Sequence, residues 1–327
     1  MTARGWFLFS LMGVLWGIPY LMIKVAVDSD LSPSMVVFTR CALGAVLLLP
    51  FALRQGGMGG VLRTHWRPML AFACVEILGP WYTLTDAERH LSSSTAGLLI
   101  AAVPIIGAVL ARFFGDTERL GGRRLTGLAL GFAGVAVLTV PHLTGGDAWS
   151  LTEVLITALG YATAPLIVAR HLKKVPTLQL IAPCLTLAAL VYAPAAAATW
   201  PAEVPDGKTL AALAGLGVIC TALAFVVFLE LIHEAGPTRA VVFTYINPAV
   251  AALAGMAFLS EHLTASFWAA FTLILAGSFL ATAASGRGGP ARRVPWSARQ
   301  TSRADGRVEA LVDLPEERPG STGQGGG

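Results

Sequence analysis

Two charged side chains stand in this sequence where the surrounding chain offers them no water. Glu76 lies about nine residues into the apolar stretch 68–88, which at ~1.5 Å per helical residue puts it near the middle. Arg40 lies within the apolar stretch 34–53. Charges in such surroundings are costly and usually face a cavity or a partner. A carboxyl at Glu76 can hold a proton or another cation, or it can serve as the structural partner of Arg40. Arg40 in turn can attract an anionic group, or pair with a carboxylate or with backbone carbonyls.

A second set of groups comes from broken helices. Pro19, Pro104, Pro165 and Pro248 each sit inside an apolar run. A proline there frees a backbone carbonyl one turn earlier, which then needs water, a side chain or a bound molecule. Such positions kink helices and serve as hinges. Asn247 adds an amide beside Pro248. Trp16, Trp81, Tyr82, Tyr161 and Tyr245 are candidates to line a cavity with these carbonyls, and such a lining suits an amphipathic organic molecule. Each aromatic alone could equally be packing against a neighbour.

Other chemistries find no support. Cys41, Cys74, Cys184 and Cys220 fall inside apolar runs without metal-binding spacing, so neither a disulfide framework nor a metal site is expected. The six histidines form no HExxH pair. Gly121-Gly122 is followed by no lysine of a phosphate-binding loop. No cofactor and no catalytic residue is expected, and no basic-aromatic interleaving suggests nucleic acid.

The elements that carry these residues are set by composition. Hydrophobic residues make up 55% and charged ones 13% of the chain, against about 25% charged in soluble domains. Lipid must therefore be the solvent. A spanning helix needs about 20 apolar residues. Ten such stretches are read at 6–27, 34–53, 68–88, 93–114, 123–140, 150–170, 178–198, 209–231, 237–259 and 265–284. The first lacks a cleavage site and is read as a span, not a signal peptide. Between spans, 54–67 reads as a Gly-rich basic loop, and 286–327 as a disordered tail.

The chain also repeats itself. Ala96 matches Ala240, and Pro104 matches Pro248, at an offset of 144. Glu118 matches Glu261, and Gly134 matches Gly277, at 143. Pro19 and Lys24 match Pro165 and Arg170 at 146; Asp86 matches Glu230 at 144. Two copies of one multi-helix unit follow, at 1–140 and 141–285. Five helices per copy is an odd number, so the second copy enters the membrane inverted, an arrangement that builds one site reachable from either side. Loop arginines and lysines put both termini in the cytoplasm, because only Arg89 and Lys208 would then lie outside. Lys24 with Asp86, and Arg170 with Glu230, then lie near opposite membrane faces and are candidate gating ion pairs. Four lysines against nineteen arginines, with abundant alanine and glycine, suggest a GC-rich bacterium.

Ser94, Ala96, Leu98, Leu99 and Pro104, followed by Glu118 and a Gly-rich helix, return around Pro248 and Glu261. This pattern resembles the EamA-type family of the drug/metabolite transporter superfamily. Trp16-Gly17 with Lys24 is similar to that family's first-helix signature, and Arg40 to the arginine of its second helix. The resemblance covers about 5–285; the run Asp86, Glu88, Arg89 and His90 is more charged than the family pattern. It implies an all-α inner-membrane protein of two inverted five-helix repeats. The activity it implies is export of a small amphipathic metabolite, such as an amino acid, or of a drug by alternating access. Protons are a candidate coupling ion. Uptake is the alternative direction, and a polytopic membrane enzyme the less favoured class.

Overall fold

Four helices begin where a short polar side chain turns back onto the backbone. Thr2, Ser32, Ser92 and Asp206 accept hydrogen bonds from the backbone N–H of Gly5, Met35, Thr95 and Thr209 at 2.9–3.2 Å. Each satisfies an orphan donor of a first turn and so fixes where an apolar run starts winding. The computed structural model describes residues 2–113, 122–145, 147–235 and 241–282. Glu118, Ala240 and the tail at 286–327 lie outside the described residues.

All regular structure among the described residues is helical. The chain runs through α1 (Ala3–Leu15), α2 (Pro19–Val27), α3 (Pro33–Arg54), α4 (Met58–Ala73) and α5 (Gly79–Ala87). It continues with α6 (Ser93–Ile100), α7 (Val103–Phe113), α8 (Gly122–Gly145), α9 (Ala148–Ile167) and α10 (Thr177–Ala198). It ends with α11 (Gly207–Ala214), α12 (Ala224–Ala235), α13 (Asn247–Leu259) and α14 (Ala265–Thr282). Among the described residues, six stretches are long and apolar enough to cross a membrane: Ala3–Val27, Pro33–Arg54, Ser93–Leu110, Ala148–Leu172, Thr177–Ala198 and Gly207–Glu234. Shorter apolar helices cover Leu125–Val140, Phe243–Leu259 and Ala265–Leu280. Phe7, Val46, Leu190 and Phe258 point outward, a surface that suits hydrocarbon better than water.

Helix continuity fails at defined places. The first span stops at Leu15 and restarts at Pro19. The fourth stops at Ile100 and restarts at Val103, just before Pro104. A 3₁₀ turn at Val241–Tyr245 precedes α13, whose second residue is Pro248. Pro165 instead stays inside α9, which passes into a π-helical turn at Val168–Leu172. Two further π-helical stretches lie at Cys74–Leu78, between α4 and α5, and at Gly215–Leu223, between α11 and α12. These two positions correspond under the repeat offset of 144, so both copies widen at one level. Such bulges insert a residue into the helical ladder and commonly mark functional sites.

The 54–67 loop expectation needs correction. Gly56 and Gly57 hold φ of +73° and +75°, left-handed values that glycine adopts without strain, and the chain then winds into α4 at Met58. Met58 is buried while Arg63, Thr64, Trp66 and Arg67 are exposed. This amphipathic pattern is what made the segment look like a polar loop.

Small residues set the closest approaches. A Cβ at Gly277 would strike the backbone of Gly131 and Gly127, and one at Gly134 would meet Ile274 and Leu273 at 2.8 Å. α8 and α14 therefore pack backbone to backbone. Gly13 and Gly17 admit Ile246 and Val250, which brings the break in the first span against the break before α13. Gly160 of α9 faces the carbonyl of Val75 and the ring of Pro80, which holds α9 against the π turn of Glu76.

Candidate functional site

Arg40 projects from α3 into the interior and is buried. Its guanidinium lies 3.6 Å from the centroid of the Trp81 ring, a cation–π contact. Its Nε donates to the Thr221 hydroxyl at 3.0 Å. Thr221 sits in the π stretch of the second copy and donates in turn to the Leu216 carbonyl five residues earlier, at 2.8 Å. One hydroxyl can do both, because it carries one donor and two acceptor lone pairs. Gly44, one turn beyond Arg40 on α3, lets the Thr221 methyl come close.

Glu76 sits in the π turn of the first copy, half-buried, with Arg40 as the cation acting on it. The two form no ion pair: among the described residues, pairs within 4.0 Å are Arg4 with Glu230 and Glu234, Lys24 with Asp28, and Arg89 with Asp86. The structural-partner alternative for Glu76 is thus replaced by Trp81 and Thr221 as the contacts of Arg40. Tyr161 of α9 lies within the electrostatic reach of both charges. One basic group, one acidic group and an aromatic wall therefore share one level of the fold without neutralising each other directly.

The remaining sequence candidates have packing and hydrogen-bond partners of their own. Tyr82 stacks on Tyr192 with ring centroids 5.8 Å apart and planes 4° from parallel, and the Tyr192 hydroxyl donates to the Leu78 carbonyl at the exit of the π turn. Trp16 packs among Phe225, Phe228 and Phe243 at 5.2–5.7 Å. It joins the break in the first span to α12 and to the 3₁₀ turn. The Tyr245 hydroxyl donates to the Ser278 carbonyl at 3.0 Å. Ser278 donates to the carbonyl of Ala101, left without its usual helical donor by the interruption before Pro104. Asn247, opening α13, buries its amide oxygen with no hydrogen-bond donor among the described residues.

The charged residues at the helix ends take partners other than those expected. The Lys24 ammonium lies 3.0 Å from Asp28 and donates to the backbone carbonyl of Glu88 at 2.8 Å, rather than meeting Asp86. Asp86 pairs with Arg89 at 3.3 Å. Glu230 pairs with Arg4 at 2.6 Å rather than with Arg170, which is exposed on the turn after α9. Thr2 donates to Glu234, closing a network between the start of α1 and the end of α12.

Sequence reasoning missed four contributors. Thr221 is a single hydroxyl in an apolar run, aligned within one position of Glu76 by the repeat. Tyr192 carries no motif. Glu261 was noted only as a repeat landmark, yet its carboxylate grips the start of α6. Oε1 accepts from the Ser93 N–H and hydroxyl, each at 2.8 Å; Oε2 accepts from the Ser94 N–H at 3.1 Å and from its hydroxyl. An anion at a helix N-terminus completes orphan donors and opposes the helix dipole. Gly255 makes room for this grip, since a Cβ there would strike Glu261 and the Ser94 hydroxyl. The fourth, Glu88, is buried beside Lys24.

Comparison with known proteins places this geometry. The model of the "EamA-like transporter family" matches twice, at residues 3–140 and 148–283. The inner membrane transporter YedA of Escherichia coli strain K12, itself uncharacterized, is 27% identical over 277 residues, covering 82% of this chain and 87% of its own length. An uncharacterized transporter of Archaeoglobus fulgidus is 23% identical over 293 residues, covering 86% and 99%. The uncharacterized transporter YvbV of Bacillus subtilis is 24% identical over 274 residues, covering 82% and 88%. A crystal structure of a protein 18% identical in sequence superposes with a TM-score of 0.63, covering 86% of this chain and 98% of that one.

Proposed function

Because the chain belongs to the EamA-like transporter family, we propose that it moves a small zwitterionic metabolite, such as an amino acid or a related compound, across a bacterial inner membrane by alternating access. The observation that carries this reading is the unpaired arrangement of Arg40 and Glu76. A carboxylate of the substrate would take the face of Arg40 left by Trp81 and Thr221. Its ammonium would face Glu76. Tyr161, Tyr82 and Tyr192 would border its apolar part, and Asn247 would offer a free acceptor. A protein that wanted these charges only for structure would gain most by pairing them directly, since an unpaired buried charge is strongly destabilising.

The scaffold we propose has ten spans in two inverted repeats of five. Two matches to one family model support it, as do the paired π stretches. The run Met58–Ala87 supplies the span beyond the six long and three shorter apolar helices. Arg4, Arg54, Arg63, Arg67, Lys173 and Lys174 would then face the cytoplasm with both termini. Export is the direction the family resemblance implies. Pro19, Pro104, Pro165 and Pro248 would act as hinges. The network of Arg4, Glu230, Glu234 and Thr2 would close the cytoplasmic end, and Lys24 with Asp28 would help to close the other.

Thermal unfolding of the detergent-purified protein tests the two-charge site. Amino acids should raise the melting temperature in a saturable way. Their analogues lacking either the amine or the carboxyl should not. Equal stabilisation by a one-charge analogue would remove the basis for the zwitterion reading.

A further inference from the structure

Glu88 has no exposed surface, and neither of its carboxyl oxygens has a hydrogen-bond partner among the described residues. It caps α5 beside the grip of Glu261 on α6. The charged and titratable groups facing it come from four neighbouring elements. α2 contributes Tyr20, Lys24 and Asp28, and α3 contributes Arg40. α9 contributes Tyr161, and the segment after α13 contributes Glu261. On its own element, Asp86 is engaged with Arg89 and lies beside Glu153.

The partners are distributed in a telling way. Lys24 is the cation nearest in kind, yet its ammonium bonds the backbone oxygen of Glu88 and the carboxylate of Asp28. Glu261 uses both oxygens as acceptors from Ser93 and Ser94. An ionised carboxylate sealed at this spot would have no hydrogen bond to replace its lost hydration, and a second carboxylate nearby opposes the attraction of Lys24 and Arg40. A neutral carboxyl would not.

We propose that Glu88 is a proton-binding site that senses whether this end of the transporter is closed. In the closed arrangement its carboxyl carries a proton. When the end opens, the O–H bond breaks, the proton leaves to water, and the carboxylate accepts the Lys24 ammonium in place of its own backbone oxygen. The charge change is one proton per opening, so a pH difference across the membrane biases the equilibrium between states. The inference rests on the transport reading for its purpose, but not for its test.

The test uses the full chain in lipid without any substrate. Infrared difference spectra between acid and alkaline pH report protonated carboxyl groups, and hydrogen exchange, corrected for its intrinsic pH dependence, reports opening of the segment 88–99. Wild type should show a carboxyl band that disappears on alkalinisation together with faster exchange at 88–99. Glu88→Gln should lose that band and the pH response of exchange. Glu203→Gln, at an exposed position between α10 and α11, should keep both. Glu88→Asp should keep the response, which guards against simple misfolding of the glutamine variant. A band and exchange response unchanged in Glu88→Gln would overturn the proposal, as would their loss in Glu203→Gln alone. Either result leaves transport itself to be judged in liposomes.

Discussion

At the scale of residues, Arg40 does what lysine could not. Its flat guanidinium stacks on Trp81 and still directs Nε at Thr221, geometry that a single ammonium cannot copy. Arg40→Lys should therefore weaken substrate binding by about tenfold or more, the scale of losing a charged hydrogen bond. Thr221→Val should cost only about two- to tenfold, as for a neutral bond. Titration of ligand-induced stabilisation measures both, and equal losses in the two variants would mean that the stacking on Trp81 contributes little. Glu76→Gln should abolish accumulation driven by a pH gradient, provided protons compete with the substrate ammonium there, yet leave exchange of internal for external substrate. Unchanged gradient-driven transport would assign Glu76 to structure. Arg40 and Glu76 were legible in the sequence because a charge inside an apolar stretch has few bland explanations. Thr221 was not, because a lone threonine in such a stretch usually satisfies its own helix. The expected partners of Lys24 and Glu230 were also misread. Matching positions in two repeats gave their depth, but not which side chain of a neighbouring helix would reach them.

At the scale of elements, the site is held by interruptions rather than by regular helix. Glu76 and Thr221 lie in corresponding π stretches, and α6 and α13 pack on each other at Gly97 and Ala251, next to the breaks at Pro104 and Pro248. Pro19, Pro104 and Pro248 announced three breaks in the helices. The π stretches had no sequence signal of their own, because neither Cys74–Leu78 nor Gly215–Leu223 contains a proline to break the helix. The grip on α6 is the element-level feature whose loss should be largest. Glu261→Ala would leave the N–H and hydroxyl donors of Ser93 and Ser94 without their acceptor, at about 1–3 kcal/mol for each donor that water fails to reach. Thermal unfolding in detergent should fall clearly, and Glu261→Gln, which keeps one acceptor oxygen, should fall less. An unaltered melting temperature in Glu261→Ala would show that water replaces the carboxylate at no cost. Gly277→Ala should also destabilise, by ~1–3 kcal/mol, because its methyl would meet the backbone of Gly131 in a contact that cannot give way.

At the scale of the whole molecule, the apolar composition and the offset near 144 carried the reading of a membrane protein built from two copies, and the family match covers both copies. The proposed inversion of the second copy has a direct consequence for labelling. On a cysteine-free background, Gly57→Cys and Gly122→Cys should react only from the cytoplasm, and Gly145→Cys only from outside. Reaction of Gly57→Cys and Gly145→Cys from the same side would end the inverted-repeat proposal. The two charge networks lie at opposite ends of such a molecule, Arg4 with Glu230 at one and Lys24, Asp28, Glu88 and Glu261 at the other. An exposed ion pair contributes at most ~1 kcal/mol, enough to bias states that are nearly balanced but not to lock either. The central proposal is that a zwitterion crosses the membrane through the Arg40–Glu76 site. The measurement that tests it most directly is counterflow of radiolabelled amino acids into liposomes holding the purified protein, with wild type beside Arg40→Ala. Wild type should accumulate at least one amino acid saturably above empty liposomes, and Arg40→Ala should fall to the empty-liposome level while remaining folded and inserted. Counterflow that is undiminished in Arg40→Ala would contradict the claim.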